Sequence, residues 1–273
     1  MPMLIVAGLC LLYLGWLVGK PYYVESRRRQ LRKLPFPPAW LAILRRRVPY
    51  YRLLPADLQA QLRGHIQVFI AEKDFIGCAG LEVNDEMRVT IAAQACLLIL
   101  NRKTGYYPKL QRILLYPGAF MVKKQEVDEA GVHSEYHDEL AGESWGDGQV
   151  ILSWQDAVVD ARFFGDGRNV VLHEFAHQLD QEKGEATGAP ILARAEHYRP
   201  WSAALGAEYE ALRQQADAEL DTLFDYYGAE HPAEFFAVVT EVFFEQPHEM
   251  AAMHPELYRQ LKNFYRVNPL DWR

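Results

Sequence analysis

The chain has few cysteines, and their placement argues against two classes of protein. Only three occur among 273 residues, at positions 10, 78 and 96, and none has the short spacing of a cysteine-ligated metal site. Three cysteines are too few to indicate a disulfide scaffold. A reducing compartment is therefore the simpler assumption for this protein. The sequence also lacks internal repeats and low-complexity tracts.

An excess of positive charge is missing as well. The chain carries 29 Lys and Arg against 36 Asp and Glu, a formal net charge of -7. Two arginine triplets, at 27–29 and 45–47, could suggest contact with nucleic acid, but no basic stripe accompanies them elsewhere. We therefore expect no direct binding to nucleic acid.

Charged side chains are absent from residues 1–19. As a helix, residues 3–19 would span about 26 Å, at the short end for a bilayer crossing. The segment has no basic start and no small-x-small cleavage site, and cations follow it directly, so an uncleaved anchor is favoured over a secretory signal. The sequence predicts a single-pass transmembrane helix at 1–19 in the inner membrane, with the remaining chain in the cytoplasm, or a cytosolic protein if the segment is not inserted.

The remainder divides into two parts. Residues 20–54 are basic and contain several prolines, which is typical of a juxtamembrane linker lying on anionic lipid. Residues 55–273 are long enough for one good hydrophobic core. Their periodicity predicts helices at 56–73, 85–100, 202–218 and 255–266, strands at 112–122 and 149–154, and a strand or turn at 75–83. This is a mostly helical α+β domain with a small sheet.

The segment His173–His177, HEFAH, is the strongest motif. Apolar residues at 170, 171, 175, 176 and 179 predict a helix, with Asp166 or Asn169 as its cap and Gly184 as its end. On a helix, residues four apart share a face, so both imidazoles can reach one metal ion while Glu174 points at a bound water. Zinc fits such ligands and needs a third from the protein. The alternative, a buried histidine pair without metal, is costly.

Several carboxylates compete to be that third ligand. Asp180, Glu182 and Glu185 lie on or just after the same helix with poor geometry, and Glu196 lies in a polar loop. Glu234 is embedded in a second, strongly apolar helix that begins near Pro232. A carboxylate there can be a metal ligand, a salt-bridge partner or a residue stabilised by the first turn of the helix. Glu241, on the same face, is the reserve ligand or a partner to a ligand histidine.

At this point two segments resemble a known family. HEFAHQLD from His173 and YGAEHPAEFFA from Tyr227 are similar to the Mlc titration factor A family of zinc peptidases, relatives of the catalytic domain of anthrax lethal factor. The resemblance covers roughly residues 55–270 and implies a zincin-like metallopeptidase domain. It implies that zinc is held by His173, His177 and Glu234, with Tyr227 facing the ion. The best-known members lack the apolar N-terminal segment.

The resemblance implies a mechanism and leaves two functions open. Glu174 would take a proton from water and return it to the leaving amine, and Tyr227 would donate to the oxyanion; since Tyr226 is adjacent, the tyrosine assignment could shift by one. The expected function is peptide or protein hydrolysis, and the resemblance implies an aminopeptidase-like activity. The alternative is a membrane-tethered protein that sequesters a cytoplasmic transcriptional repressor. In zincins an edge strand binds substrate, and the sequence does not decide which strand that is.

Overall fold

The computed structural model describes residues 2–103, 105–127, 133–140, 142–145 and 148–272. Side chains of residues 1–8, 10–12, 120–141 and 143–147 lie outside that description. The helices are α1 Pro2–Lys33, α2 Pro38–Arg47, α3 Ala56–Glu72, α4 Asp85–Leu97, α5 Trp154–Arg162, α6 Val170–Asp180, α7 Tyr198–Asp217, α8 Pro232–Glu245, α9 Pro247–Met253 and α10 Pro255–Tyr265. The strands are β1 Asp74–Gly77, β2 Arg112–Tyr116, β3 Phe120–Val127, β4 His133–Leu140, β5 Gly142–Trp145 and β6 Gln149–Ser153.

The mostly helical α+β class is confirmed. The four predicted helices correspond to α3, α4, α7 and α10, with ends that differ by a few residues. Local signals explain those ends: the side chain of Asn84 accepts a hydrogen bond from the backbone N–H of Met87 at the start of α4, and Arg266, with φ 57°, closes α10 in the left-handed region.

The main sheet has four strands in the order β1-β2-β6-β5. β1, β2 and β6 are parallel, whereas β5 runs antiparallel to β6, with Gly142 opposite Leu152. The predicted strands at 149–154 and 112–122 are β6 and β2, the latter prediction extending into β3. β3 and β4 form a separate antiparallel pair. The strand at the edge of the main sheet beside α6 is therefore β5, which the sequence pattern did not identify.

The centre of the domain is the packing of α6 on α8, with β5 and β6 on one side of α6. Phe175 of α6 is fully buried, and its ring centroid lies 5.7 Å from that of Phe69 and 4.9 Å from that of Tyr107. Burial of one such side chain contributes about 1.5–3 kcal/mol. The apolar face of α6 therefore fixes the helix, which leaves its opposite face free to carry polar groups.

The expected transmembrane anchor is not supported. Across the described part of the chain, no helix is both long enough and apolar enough to cross a membrane. α1 does not end with the apolar segment; it continues as one helix through Lys20 and a cluster of arginines to Lys33. Most side chains of residues 1–12 lie outside the described residues. The inner-membrane location inferred from this segment is likewise not supported.

Cations of the segment 20–54 pair with carboxylates of the domain itself. The guanidinium of Arg28 donates two hydrogen bonds of 2.8 Å to the carboxylate of Glu72, and both Arg46 and Arg47 pair with Glu86. Leu44, Val48 and Tyr50 are fully buried in the common core. The core thus extends to the N-terminal side of residue 55, and contact of this segment with lipid is not supported.

Candidate metal centre

α6 presents the two histidines of the motif on its polar face. Asn169 is the observed cap, since its Oδ1 accepts a hydrogen bond from the backbone N–H of Leu172 at 3.0 Å. The helix ends at Asp180, ahead of Gly184. The side chains of His173 and His177 are only 12% and 10% exposed. Both therefore lie in a partly dehydrated pocket, where a charge on either ring needs a partner.

α8 brings Glu234 to the same point. The ring of His231 caps the helix by accepting a hydrogen bond from the backbone N–H of Ala233 at 3.2 Å, and Pro232 occupies its first turn. Two competing carboxylates have other partners: Asp180 accepts from the backbone of Thr187 and Gly188, and exposed Glu196 pairs with Arg194. Among the described residues, the group able to hold a metal ion consists of His173, His177 and Glu234.

The three donor atoms converge closely. The Nε2 atoms of His173 and His177 are 3.2 Å apart. Oε2 of Glu234 lies 3.0 Å from the first and 3.1 Å from the second. Three ligands at zinc distances of 2.0–2.1 Å in tetrahedral geometry would be about 3.3 Å apart. The donor set therefore fits a zinc ion in both chemistry and spacing.

Glu241 holds one histidine in the orientation that ligation requires. Its Oε1 accepts a hydrogen bond from Nδ1 of His173 at 2.7 Å, which fixes the ring so that Nε2 faces Glu234. Burial disfavours the charged imidazole, but the negative charge of Glu241 and the hydrogen bonds that the ring donates to Glu234 and Glu241 raise the pKa of His173 well above its usual value. Burial of Glu234 is likewise outweighed by its histidine partners, which lower the pKa of its carboxyl. Two carboxylates of α8, Glu234 and Glu241, thus face His173, and their negative charge favours a bound cation.

A second carboxylate of α8, Glu245, holds the loop that enters α6. Its oxygens accept hydrogen bonds from the backbone N–H groups of Gly165 and Gly167 and from the side chain of Asn169, at 3.0–3.2 Å. Burial is the main cause that raises the pKa of Glu245, to about 8. Glu245 was not identified from the sequence, although its spacing of four from Glu241 on an apolar helix was the available signal.

Glu174 lies beside the edge strand. The residue is 5% exposed, and the backbone of Gly142 in β5 passes directly against it. A Cβ atom at position 142 would stand 2.7 Å from Oε1 and 2.8 Å from Cγ of Glu174. Only glycine lets the strand approach so closely. Sequence reasoning also missed this residue, because the contact joins segments 32 positions apart.

Tyr227, rather than Tyr226, is the tyrosine on the side of the histidines. Its ring centroid lies 5.8 Å from that of His173, with an interplanar angle of 36°, and the residue is 40% exposed. The hydroxyl of Tyr226 instead donates to the backbone carbonyl of Leu220. The structure thus brings all five predicted site residues to one place: His173, Glu174, His177, Tyr227 and Glu234.

The chain is similar in sequence to several known proteins. The family described as glucose-regulated metallo-peptidase M90 matches residues 23–266. The chain is 41% identical over 271 residues to "Uncharacterized protein slr2042" of Synechocystis sp., covering 99% of this chain and 98% of that protein. It is 32% identical over 226 residues to Mlc titration factor A of Pectobacterium atrosepticum, covering 82% and 84%, and 30% identical over 226 residues to Mlc titration factor A of Escherichia fergusonii, with the same coverage.

Proposed function

Because the chain belongs to the glucose-regulated metallo-peptidase family M90, we propose that it is a zinc-dependent peptidase whose ion is held by His173, His177 and Glu234. The convergence of their three donor atoms within 3.0–3.2 Å carries the proposal. When bound, zinc would supply a Lewis acid that polarises water and the scissile carbonyl.

Glu174 is the proposed general base and acid. It follows His173 on α6, lies in the buried part of the pocket and is placed by its contact with the backbone of Gly142. Its carboxylate takes a proton from the attacking water and later delivers it to the leaving amine. Such positioned proton transfer contributes about 10²–10⁴-fold to a rate.

Tyr227 and β5 supply the remaining elements of the proposed site. The phenol of Tyr227 is a hydrogen-bond donor at neutral pH and stands beside His173, where it can donate to the oxyanion. β5 is an edge of the sheet and passes next to Glu174, so an extended peptide can add to it through backbone hydrogen bonds. The resemblance noted above supports an aminopeptidase-like preference for peptides with a free N-terminus.

The test is the full chain carrying Glu174→Gln, compared with the parent for zinc content and for hydrolysis of a peptide library. We expect about one zinc in both proteins and a loss of activity of about 100-fold or more in the variant. The matched control is Glu185→Gln, an exposed carboxylate beyond the end of α6, which should cleave like the parent. Each peptide is offered free and N-acetylated, since preference for the free form tests the aminopeptidase assignment. Absence of zinc from the parent would refute the proposal.

A second function is supported by the name of the relatives, which are called titration factors of Mlc. By that likeness we propose, as the alternative, that the chain binds a transcriptional repressor. Glu174→Gln separates the two functions, because binding does not need a general base. The alternative would be favoured if the parent cleaves no peptide in the library while both the parent and Glu174→Gln bind the repressor.

A further inference from the structure

The carboxylate of Asp225 links the segment that carries Tyr227 to the segment that leads into α6. It directly precedes the short 3-10 helix Tyr226–Ala229, and its Oδ1 accepts a hydrogen bond from the backbone N–H of Tyr227 at 2.9 Å. Its Oδ2 accepts another from the guanidinium of Arg168 at 2.6 Å. One carboxylate therefore holds the backbone of the proposed oxyanion donor and also contacts the segment that leads into α6.

The backbone at Arg168, the partner of Asp225, is held in place by hydrogen bonds. The backbone N–H of Arg168 donates to Oδ1 of Asp166 at 3.0 Å, and the N–H of the next residue, Asn169, donates to Glu241. Glu241 in turn contacts the ligand histidine His173. The arginine thus extends from the network that orients the metal ligands, although 75% of its own side chain is exposed.

The other side of the 3-10 helix is fixed by packing. Gly228 is buried, and a Cβ atom there would stand 3.3 Å from the side chains of Leu212 and Val238. This contact limits how closely the segment approaches α7 and α8, whereas the rotation that turns Tyr227 towards His173 depends on the dihedral angles of its own backbone. The cap by Asp225 acts on the backbone of Tyr227 itself and is suited to set that rotation.

We propose that Asp225 is a positioning residue: its carboxylate, fixed by Arg168, holds Tyr227 beside His173 in the geometry of an oxyanion donor. This inference rests on the proposed peptidase function for its kinetic consequence, but not for its structural one. Since the donor acts in the transition state and not on bound substrate, Asp225 should affect kcat and leave KM unchanged.

The experiment uses full-length variants with three readouts. Asp225→Ala removes both hydrogen bonds, whereas Asp225→Asn and Arg168→Gln remove the ion pair and keep an acceptor for the backbone of Tyr227. Each is made in the parent and in Tyr227→Phe, and Glu230→Ala, an exposed carboxylate after the same 3-10 helix, is the matched control. The readouts are kcat and KM, zinc content, and the NMR spectrum of ring-labelled tyrosine, in which the Tyr227 signal is the one missing from Tyr227→Phe.

Asp225→Ala should lower kcat about 10-fold or more, up to the loss in Tyr227→Phe, because one oxyanion donor is worth about 10²–10³-fold. The milder variants should lose less, and none should lower kcat further once Tyr227 is Phe. Zinc content should be unchanged, and the contact between the Tyr227 and His173 rings should disappear in Asp225→Ala.

The inference would be overturned if Asp225→Ala lowered kcat further in the Tyr227→Phe background. It would also be overturned if the NMR signal of Tyr227 did not move in Asp225→Ala. A parent that cleaves no peptide while its Tyr227 signal still moves in Asp225→Ala would refute the peptidase function and leave the positioning role intact.

Discussion

The two sides of the proposed site, called here the ligand wall and the donor wall, are built differently. The ligand wall, α6 and α8, carries His173, His177 and Glu234, and the residues behind them are buried: Glu241, Glu245 and Asp180 are 7%, 5% and 4% exposed. The donor wall, residues 225–229, presents a 40% exposed Tyr227 fixed through a carboxylate whose cation is 75% exposed. Buried polar networks are costly to break, whereas exposed ion pairs contribute about 0–1 kcal/mol. Metal binding should therefore resist conditions that loosen the donor.

The largest expected effect comes from β5, the strand that passes against α6 of the ligand wall. Gly142→Ala places a Cβ atom 2.6 Å from Val170 and 2.7 Å from Oε1 of Glu174, so the carboxylate must move. We expect kcat to fall about 100-fold or more, as for loss of a general base, with zinc content unchanged. The control is Gly206→Ala, where the added methyl group has no neighbour within 4 Å. Equal activity in both variants would show that Glu174 tolerates displacement.

Asp180 joins the ends of the two helices of the ligand wall. Its Oδ2 accepts the backbone N–H groups of Thr187 and Gly188 at 2.6 Å each. Gly188, at φ +75°, packs so closely on Pro232 that a Cβ atom would lie 2.4 Å from its carbonyl oxygen. Asp180→Ala leaves two donors without their acceptor, so the free energy of unfolding should fall by about 2–4 kcal/mol. Denaturant titration measures it, with exposed Glu185→Ala as the control; an unchanged midpoint would contradict this role.

Glu241→Gln tests whether the ligand wall depends on a charge or only on a hydrogen bond. The amide can still pair with Nδ1 of His173 but no longer stabilises a positive charge there. Loss of such a partner lowers metal affinity about 10–100-fold. Competition with a zinc chelator measures the change, and Glu249→Gln, on the exposed face of α9, should bind as the parent does. Unaltered affinity would limit Glu241 to holding Asn169.

The sequence was most informative about the site where the residues concerned lie on one helix. The proposed ligand pair His173 and His177 follows from helical spacing, and the proposals for Glu234 and Tyr227 came from the second motif together with the resemblance. The residues that hold them were missed where they lie far apart in the chain: Gly142 touches Glu174, and Glu245 reaches Gly165, only in the folded protein. The periodic pattern of apolar residues along the chain does not indicate such long-range contacts. The expected anchor is not supported, because across the described residues no helix is long and apolar enough to cross a membrane. Hydropathy over residues 1–19 also did not reveal that the same helix continues to Lys33.

The smallest expected effect is the response of the two walls to salt. Exposed charges are screened as the Debye length falls from about 10 Å at 0.1 M to about 3 Å at 1 M ionic strength. Screening weakens the pair between Arg168 and Asp225, whose worth is at most about 1 kcal/mol, so kcat should fall no more than about five-fold at high salt. Zinc affinity, set by the buried wall, should change less.

Arg168→Gln provides the control for that response, since it removes the exposed ion pair between Arg168 and Asp225. Its kcat should be below that of the parent at low salt and independent of salt. Tyr227→Phe keeps the ion pair but lacks the hydroxyl that the pair positions, so its kcat should also be independent of salt. If salt instead lowers kcat equally in all three proteins, the screening acts on substrate binding or on another part of the chain. The contrast between a buried ligand wall and an exposed donor wall would then not govern catalysis, whatever their difference in burial.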